Sequence, residues 1–473
     1  MEIGRHLCYG RRRLETMNQL LLTFYGDDFT GSTDALEALS RGGVRTVLFL
    51  EPPAPELIEE RFGDARAVGL AGVSRTMAPA EMDEALPGAF TALKRLGAPL
   101  CHYKVCSTFD SAAHVGSIGR AIEIGYDIFQ PPFVPLIAGA PALKRYLLFG
   151  NLFAAAGGVV FRLDRHPTMS RHPVTPMDES DLRRHLARQT ALKMGLVDVL
   201  ALEGAQEDVQ QALQEALAEG AQIVFFDTLT AAQGEKIGQT VWQRCQQTPL
   251  FVVGSSGVEY AMAAHWRTAG IVDGVTEYAA AEAVEKVLVM SGSASPVTAE
   301  QIRWAVEHGF AGLRLDARRL VDRQTTGAEI HRVCAEAGPA LERGQSVVLY
   351  SALGPDDDGI MRGQGAGQAD SSASRLLAEA QGRITRRLIE TSDVRRVCVA
   401  GGDTCGYVVQ QLELFALEML APLAPGGPLC LAHAHERRLD GLELALKGGQ
   451  LGQVDYFGRL LGGDHAGRES TRV

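Results

Sequence analysis

The chain has 473 residues, room for two or three domains at ~150 residues each, and carries a net charge of −11. It lacks the basic stripe of a nucleic-acid or anionic-membrane binder, although helix-start amides and a few placed cations still suffice to hold one small anion. A 46% hydrophobic and 22% charged composition excludes a disordered chain, and the 52 glycines exceed the usual ~7%.

The N-terminal MEIGRHLCYGRRRLETMNQ is basic, but the apolar stretch after it, Leu20 to Phe24, is too short for a signal sequence, and Met17 reads as the true start. From there short runs of Val, Ile, Leu and Phe alternate with amphipathic stretches. The pattern predicts a strand at Leu20–Tyr25, a helix at Thr33–Ser40 and strands at Thr46–Leu50 and Ala67–Leu70. A helix at Ala80–Leu96 and a strand at Leu100–Lys104 follow. The uncharged run between Arg145 and Arg162, broken by Gly150, Gly157 and Gly158, falls short of a membrane span and is expected to be buried. Next come helices at Glu179–Thr190 and Glu207–Ala218, then strands at Ile223–Asp227 and Leu250–Val253. Ala269–Ala283 reads as a break. Beyond it lie a strand at Val287–Ser291, a helix at Ala299–His308 and a strand at Ser346–Tyr350. A polar, glycine-rich loop at Gly354–Ser374 precedes a helix at Ser374–Thr391 and a strand at Arg396–Ala400.

Strand–helix alternation of this kind predicts an α/β protein of two domains, residues 17–270 and 284–473. Each would hold a largely parallel sheet flanked by helices, with its site beyond the carboxyl ends of the strands and the active site in the cleft between domains. The 8 cysteines are dispersed and form no C-x-x-C pair, as in a cytoplasmic protein with reduced thiols.

Four glycine-containing turns follow predicted strands. In Tyr25-Gly-Asp-Asp-Phe-Thr-Gly-Ser-Thr-Asp34, the adjacent Asp27 and Asp28 with several hydroxyls suit polyol recognition or metal binding, where a helix cap alone would need one such residue. Gly254-Ser-Ser-Gly257 is either a tight turn or a ligand contact, and Val258 excludes a nucleophile elbow. Ser291-Gly-Ser-Ala-Ser-Pro296 places free amides and the hydroxyls of Ser291 and Ser293 at a helix start, with Pro296 in the first turn. Gly401-Gly-Asp-Thr-Cys-Gly406 lets backbone approach a phosphate, with Asp403 for a metal or a reacting hydroxyl and Thr404 as donor. Two anion-type loops in one domain point to a nucleotide.

No Gly-Lys dipeptide occurs, so there is no Walker A loop, and no G-x-G-x-x-G follows a strand. His433 and His435 lack metalloprotease spacing and read as packing or solvated residues, and Asp356-Asp-Asp358 reads as a solvated loop. Lysine is rare, which draws attention to Lys104 in Tyr103-Lys-Val-Cys-Ser-Thr-Phe-Asp-Ser111, where Ser107, Thr108 and Asp110 offer partners for hydroxyls. Arg75, after another strand end, offers a bidentate grip on a carboxylate or an ordinary surface ion pair.

Taken together these segments resemble the four-carbon acid sugar kinase family. GDDFTGSTD resembles its D-D-[FIL]-T-G-A-x-D signature, with Ser32 in place of the usual Ala. YKVCSTFD at 103–110, HPVTPM at 172–177 and Gly254–Gly257 resemble further segments, and Ser291–Ser295, Gly401–Gly406 and Leu444–Gly449 (LALKGG) resemble S-G-S, G-G-[DE]-T-[SC]-G and L-A-L-K-S-G patterns. Gly448 departs from the family Ser. Residues 129–171 and the segment around His433 and His435 are also unusual for the family. The resemblance implies an ATP-dependent kinase for small sugar acids such as threonate, erythronate, 3-oxo-tetronates or the branched 3-oxo-isoapionate. It further implies an N-terminal substrate domain and a C-terminal nucleotide domain. Asp27, Asp28, Arg75, Lys104, Ser107, Thr108 and Asp110 would then face the sugar acid. Ser291, Ser293, Gly401, Gly402, Asp403, Thr404, Gly448 and Gly449 would face ATP, with Mg2+ bridging its phosphates. Asp403 and Asp28 compete for the role of general base. An NAD-linked hydroxy-acid dehydrogenase and a catalytically silent sugar-acid sensor are the alternatives, and a homodimer fits an enzyme of this size.

Overall fold

The computed structural model describes residues 20–172, 174–357, 360 and 371–462, with backbone alone at Ser371, Ser372 and Asp403. Met17, Asp358 and much of the Gly354–Ser374 loop lie outside the described residues. The chain forms two compact units, Met1–Thr276 and Glu277–Val473.

In the N-terminal unit the strands β1 (Leu22–Gly26), β2 (Thr46–Phe49), β3 (Ala67–Ala71), β4 (Leu100–Lys104) and β5 (Val134–Ile137) come first. A separate antiparallel sheet of β6 (Arg145–Leu148), β7 (Asn151–Ala156) and β8 (Val159–Arg162) follows. Then β9 (Met194–Val197), β10 (Ile223–Phe226) and β11 (Leu250–Gly254) complete the main sheet. Its order is β2-β3-β1-β4-β11-β5-β10-β9, parallel throughout. Strands such as Leu-Phe-Val-Val-Gly at 250–254 are buried along their whole length, as parallel strands covered on both faces must be. Gly26 lies level with both Ala71 and Lys104, and Lys104 with Gly254. Four strand ends therefore open onto one row of loops.

The C-terminal unit contains β12 (Leu288–Ser291), β13 (Ala311–Arg314), β14 (Val347–Tyr350), β15 (Arg396–Ala400), β16 (Leu414–Ala424), β17 (Gly427–Ala434) and β18 (Glu443–Lys447). Their order is β13-β14-β12-β15-β18-β17-β16, parallel from β13 to β18, with β17 and β16 antiparallel. Ser291 is level with Ala400, and Ala400 with Lys447. Val289, Val348, Cys398 and Ala445 form its core with Tyr456 and Phe457.

Two expectations require correction. The uncharged run 145–162 is not a buried segment but the small antiparallel sheet: Leu147, Leu152 and Ala154 are fully buried, while Val159 is 55% exposed. Period-two alternation puts only one face against the protein. Its first turn is held by Asp227, whose carboxylate accepts from the backbone N–H groups of Phe149 (2.5 Å) and Gly150 (2.9 Å). The helix predicted at Glu179–Thr190 spans only Leu182–Leu186. The chain leaves it because Gln189 packs against Gly119, where a Cβ would meet Gln189 backbone at 2.6 Å, and its side chain bonds Ser111, Ser117 and the Gly119 amide. Among the described residues no helix is long and apolar enough to cross a membrane.

Candidate functional site

Each unit has a topological switch point, where chain leaving two neighbouring strands departs in opposite directions and opens a crevice at their carboxyl ends. In the N-terminal unit it lies between β1, which leads through helix Phe29–Arg41 to β2, and β4, which leads through helix Ile118–Phe129 to β5. Asp27, Asp28 and the residues after Lys104 occupy it.

Backbone bonds fix these loops before any side chain acts. The Asp27 amide donates to the Lys104 carbonyl (2.9 Å), and the Arg75 amide to the Asp27 carbonyl (3.0 Å). Asp28 caps the helix: one carboxylate oxygen accepts from the Gly31 N–H at 2.7 Å, the other from the Thr30 hydroxyl at 2.7 Å. The same second oxygen lies 2.5 Å from the Arg75 guanidinium. Gly31 lets this turn close, because a Cβ there would meet Asp28 Oδ1 at 2.5 Å and Lys104 Nζ at 3.3 Å.

The two neighbouring carboxylates differ sharply. Burial alone would raise the Asp28 carboxyl, but Arg75, the Thr30 hydroxyl and Lys104 hold it below its ordinary value. Asp27 is 2% exposed, its Oδ1 has no hydrogen-bond partner among the described residues, and burial beside Asp28 pushes it up to about 7. Lys104, 1% exposed, lies 3.3 Å from Asp34 and donates to the Val105 carbonyl at 3.1 Å. Burial would neutralise Lys104, yet Asp34, Glu259, Asp27 and Asp28 more than offset this and keep it charged. After β4, Thr108 donates to Asp110 at 2.7 Å and Ser107 is half-buried beside them. Phe109 takes a left-handed φ of 58°, an unusual conformation for a bulky residue.

Sequence reasoning missed Arg145 and His166, contributed by the small sheet and the turn after it. Burial lowers both, and the Asp110 charge acts on both as it does on Arg75. Their only signal was position in an unassigned stretch. Gly254–Gly257 proves to be a close-packed turn: a Cβ on Gly254 would meet the Ile137 carbonyl at 2.0 Å, and one on Gly257 the Gly139 carbonyl at 2.0 Å.

The C-terminal switch point lies between β12, leading through helix Pro296–Glu307 to β13, and β15, leading through helix Gly402–Gln411 to β16. Ser291, Ser293, Gly401, Gly402, Thr404, Gly448 and Gly449 all stand at this crevice. The Gly292 amide donates to the Ala400 carbonyl (3.0 Å) and the Gly401 amide to the Lys447 carbonyl (2.8 Å). Glycine is required where these loops meet. A Cβ on Gly292 would touch Thr404 Oγ1 at 2.2 Å, one on Gly449 Ser293 Oγ at 2.9 Å, and Gly401 has a φ of 129°. Ser295 Oγ is buried with no hydrogen-bond partner among the described residues. Asp403 sits in the first turn of helix Gly402–Gln411. Lys447, also missed, donates to Thr298 Oγ1 and the Gly448 carbonyl at 3.0 Å each, while Thr298 donates to the Gly449 carbonyl at 2.9 Å. Burial lowers this lysine to about 8. His433 is elsewhere, bonded to Glu418 at 2.9 Å, with His435 stacked on Phe415.

Comparison with known proteins fits this division. The family model described as the sugar-binding N-terminal domain matches residues 22–262, and that of the nucleotide-binding C-terminal domain residues 288–457. A 3-oxo-isoapionate kinase of Paraburkholderia graminis is 49% identical over 452 residues, 95% of each chain. The chain belongs to the four-carbon acid sugar kinase family. A relative within this kinase family, a 3-oxo-tetronate kinase of Pseudomonas fluorescens, is 32% identical over 443 residues, 93% of this chain and 96% of that one. Among solved structures a Haemophilus influenzae protein superposes with TM-score 0.68 at 26% identity, covering 93% of this chain and 98% of that one. A Salmonella typhimurium protein does so with TM-score 0.72 at 24% identity, covering 96% and 100%, a likeness of fold alone. Family membership displaces the dehydrogenase alternative, and it makes residues 22–262 the family's sugar-binding domain and residues 288–457 its nucleotide-binding domain.

Proposed function

We propose that this chain transfers the terminal phosphoryl group of ATP to a hydroxyl of a branched sugar acid of the 3-oxo-isoapionate type. One observation carries the choice of acceptor: identity is 49% to the 3-oxo-isoapionate kinase against 32% to a 3-oxo-tetronate kinase over nearly the same span. Chemistry at the two crevices supports the reaction. Arg75 and Lys104 supply fixed positive charge for a carboxylate, and Asp27, Thr108 and Asp110 supply acceptors and donors for hydroxyls. In the C-terminal unit the glycine cradle at Gly292, Gly401 and Gly449, two helix starts and the Ser295 hydroxyl, without a partner among the described residues, fit a polyphosphate.

Among the described residues no group of three or more His, Cys, Asp or Glu could cage a metal ion. Mg2+ would be carried on the ATP phosphates, whose charge it would neutralise, and Asp403, in the first turn of helix Gly402–Gln411, is the carboxylate we assign to it. Transfer needs positioning and charge stabilisation more than covalent help. The test is ADP release with Mg2+–ATP across 3-oxo-isoapionate, 3-oxo-tetronate, threonate and erythronate. The highest kcat/KM is expected on 3-oxo-isoapionate; a preference for a tetronate overturns the acceptor assignment. Binding without ADP release favours a sensor instead.

A further inference from the structure

We infer that Asp27 is the general base that takes the proton from the attacking hydroxyl of the sugar acid. The assignment rests on the kinase reading above and on a contrast between two adjacent carboxylates.

Asp28 is fully engaged. Its Oδ1 accepts the Gly31 amide, and its Oδ2 accepts the Thr30 hydroxyl and faces Arg75 at 2.5 Å. A proton added there would break a helix cap and a buried ion pair together. Asp27 is the reverse. Its backbone is bonded on both sides, to Lys104 and Arg75, so the side chain is held at the carboxyl end of β1 with little freedom. It is 98% buried, and Oδ1 is a strong acceptor with no donor among the described residues, a group that costs free energy unless a ligand supplies one. A substrate hydroxyl is such a donor. Gly31 keeps the approach open, since its absent Cβ would sit 3.7 Å from that oxygen.

The charges around Asp27 come from every neighbouring element: Asp28 beside it, Arg75 after β3, Lys104 at the end of β4, Asp110 beyond it, and the phenols of Tyr25 and Tyr103. Burial and Asp28 outweigh the two cations, which leaves the carboxyl near neutrality, where a base combines availability with driving force. In the step, the hydroxyl proton passes to Asp27, the freed oxygen bonds to the γ-phosphorus, and the bond from that phosphorus to its bridging oxygen breaks. ADP leaves with that electron pair, and Asp27 later returns its proton to solvent.

The experiment compares Asp27→Asn, Asp28→Asn and Asp403→Asn in the full chain, with the sugar acid that wild-type protein phosphorylates. For Asp27→Asn, kcat is expected to fall by a factor of about 10²–10⁴ with the sugar-acid KM within a few fold. The rise of wild-type kcat/KM through about pH 7 should vanish in this variant and persist in the other two. A buried carboxyl with a raised pKa favours the fold at acid pH, and that contribution is lost as pH rises through about 7. Asp27→Asn should therefore melt no lower than wild type at pH 8, which separates a chemical role from a structural one. Asp28→Asn should instead raise KM and lower the melting temperature. The assignment is overturned if Asp27→Asn keeps kcat within tenfold of wild type, keeps the acid limb, or loses stability and KM together. If wild-type protein releases no ADP with any of the sugar acids, the kinase reading fails and the base with it.

Discussion

The two switch points are alike in topology and opposite in chemistry. At the end of β1 and β4 the protein buries charged side chains, with Asp27, Asp28, Asp34, Lys104 and Arg75 held in a mutually dependent cluster. At the end of β12 and β15 it uses backbone amides, hydroxyls and glycines, with a single buried lysine that meets a hydroxyl and a carbonyl rather than a carboxylate. A polyphosphate carries its own charge and needs only donors and close approach, which amides provide at little desolvation cost. A small sugar acid must be distinguished by its carboxylate and by the placement of its hydroxyls. That calls for side chains of both signs, whose burial is tolerable only while they remain paired.

The same substitution in both regions should expose this difference. Lys104→Met leaves Asp34 buried without its cation and Asp27 with Arg75 alone, and should destabilise the N-terminal unit by about 3–5 kcal/mol. Lys447→Met removes two hydrogen bonds but also a lysine that burial already disfavours in its charged form, so the loss should be ~1–2 kcal/mol. Differential scanning calorimetry of both variants checks this. Equal losses would mean that the carboxylate cluster is not what makes Lys104 indispensable.

Glycine replacements give a smaller, site-specific split. Gly401→Ala forces a side chain into a φ of 129° with Ser293 N 3.3 Å away, and should raise the ATP KM by roughly tenfold while leaving the sugar-acid KM unchanged. Gly31→Ala pushes against Asp28 Oδ1 and Lys104 Nζ and should do the opposite. Steady-state kinetics with each substrate varied in turn reads both, and crossed effects would break the assignment of one ligand to each unit.

Much of this was legible because parallel strands announce themselves. Runs such as Leu-Phe-Val-Val at 250–253 are apolar without alternation, and the glycine-rich turns after them mark where backbone must come close. The antiparallel strand β16 was not legible, because Leu414–Ala424 mixes Glu418 and Pro422 into a pattern that fits neither period. The contrast between Asp27 and Asp28 was equally hidden. It arises from Arg75, more than forty residues away, choosing one carboxylate of an adjacent pair. Arg145 and His166 escaped notice for a related reason: the charge of Asp110 acts on them through the fold of the small sheet and the turn after it.

The least disruptive change tests the comparison from its other side. Gly448 stands where the family pattern has Ser, and a Cβ there meets nothing within 4 Å. A Cβ on its neighbour Gly449 would meet Ser293 Oγ at 2.9 Å and Ser295 Cβ at 3.2 Å. If the C-terminal site depends on close backbone approach at particular points rather than on glycine content in general, Gly448→Ser should shift stability by less than ~0.5 kcal/mol and leave the ATP KM within twofold. Gly449→Ser should weaken ATP severalfold by pushing the serine loop away from the β18 turn. Isothermal titration with ATP on both variants decides between them, since similar losses at both positions would mean that the turn as a whole, rather than its contact with Ser293, binds the phosphates.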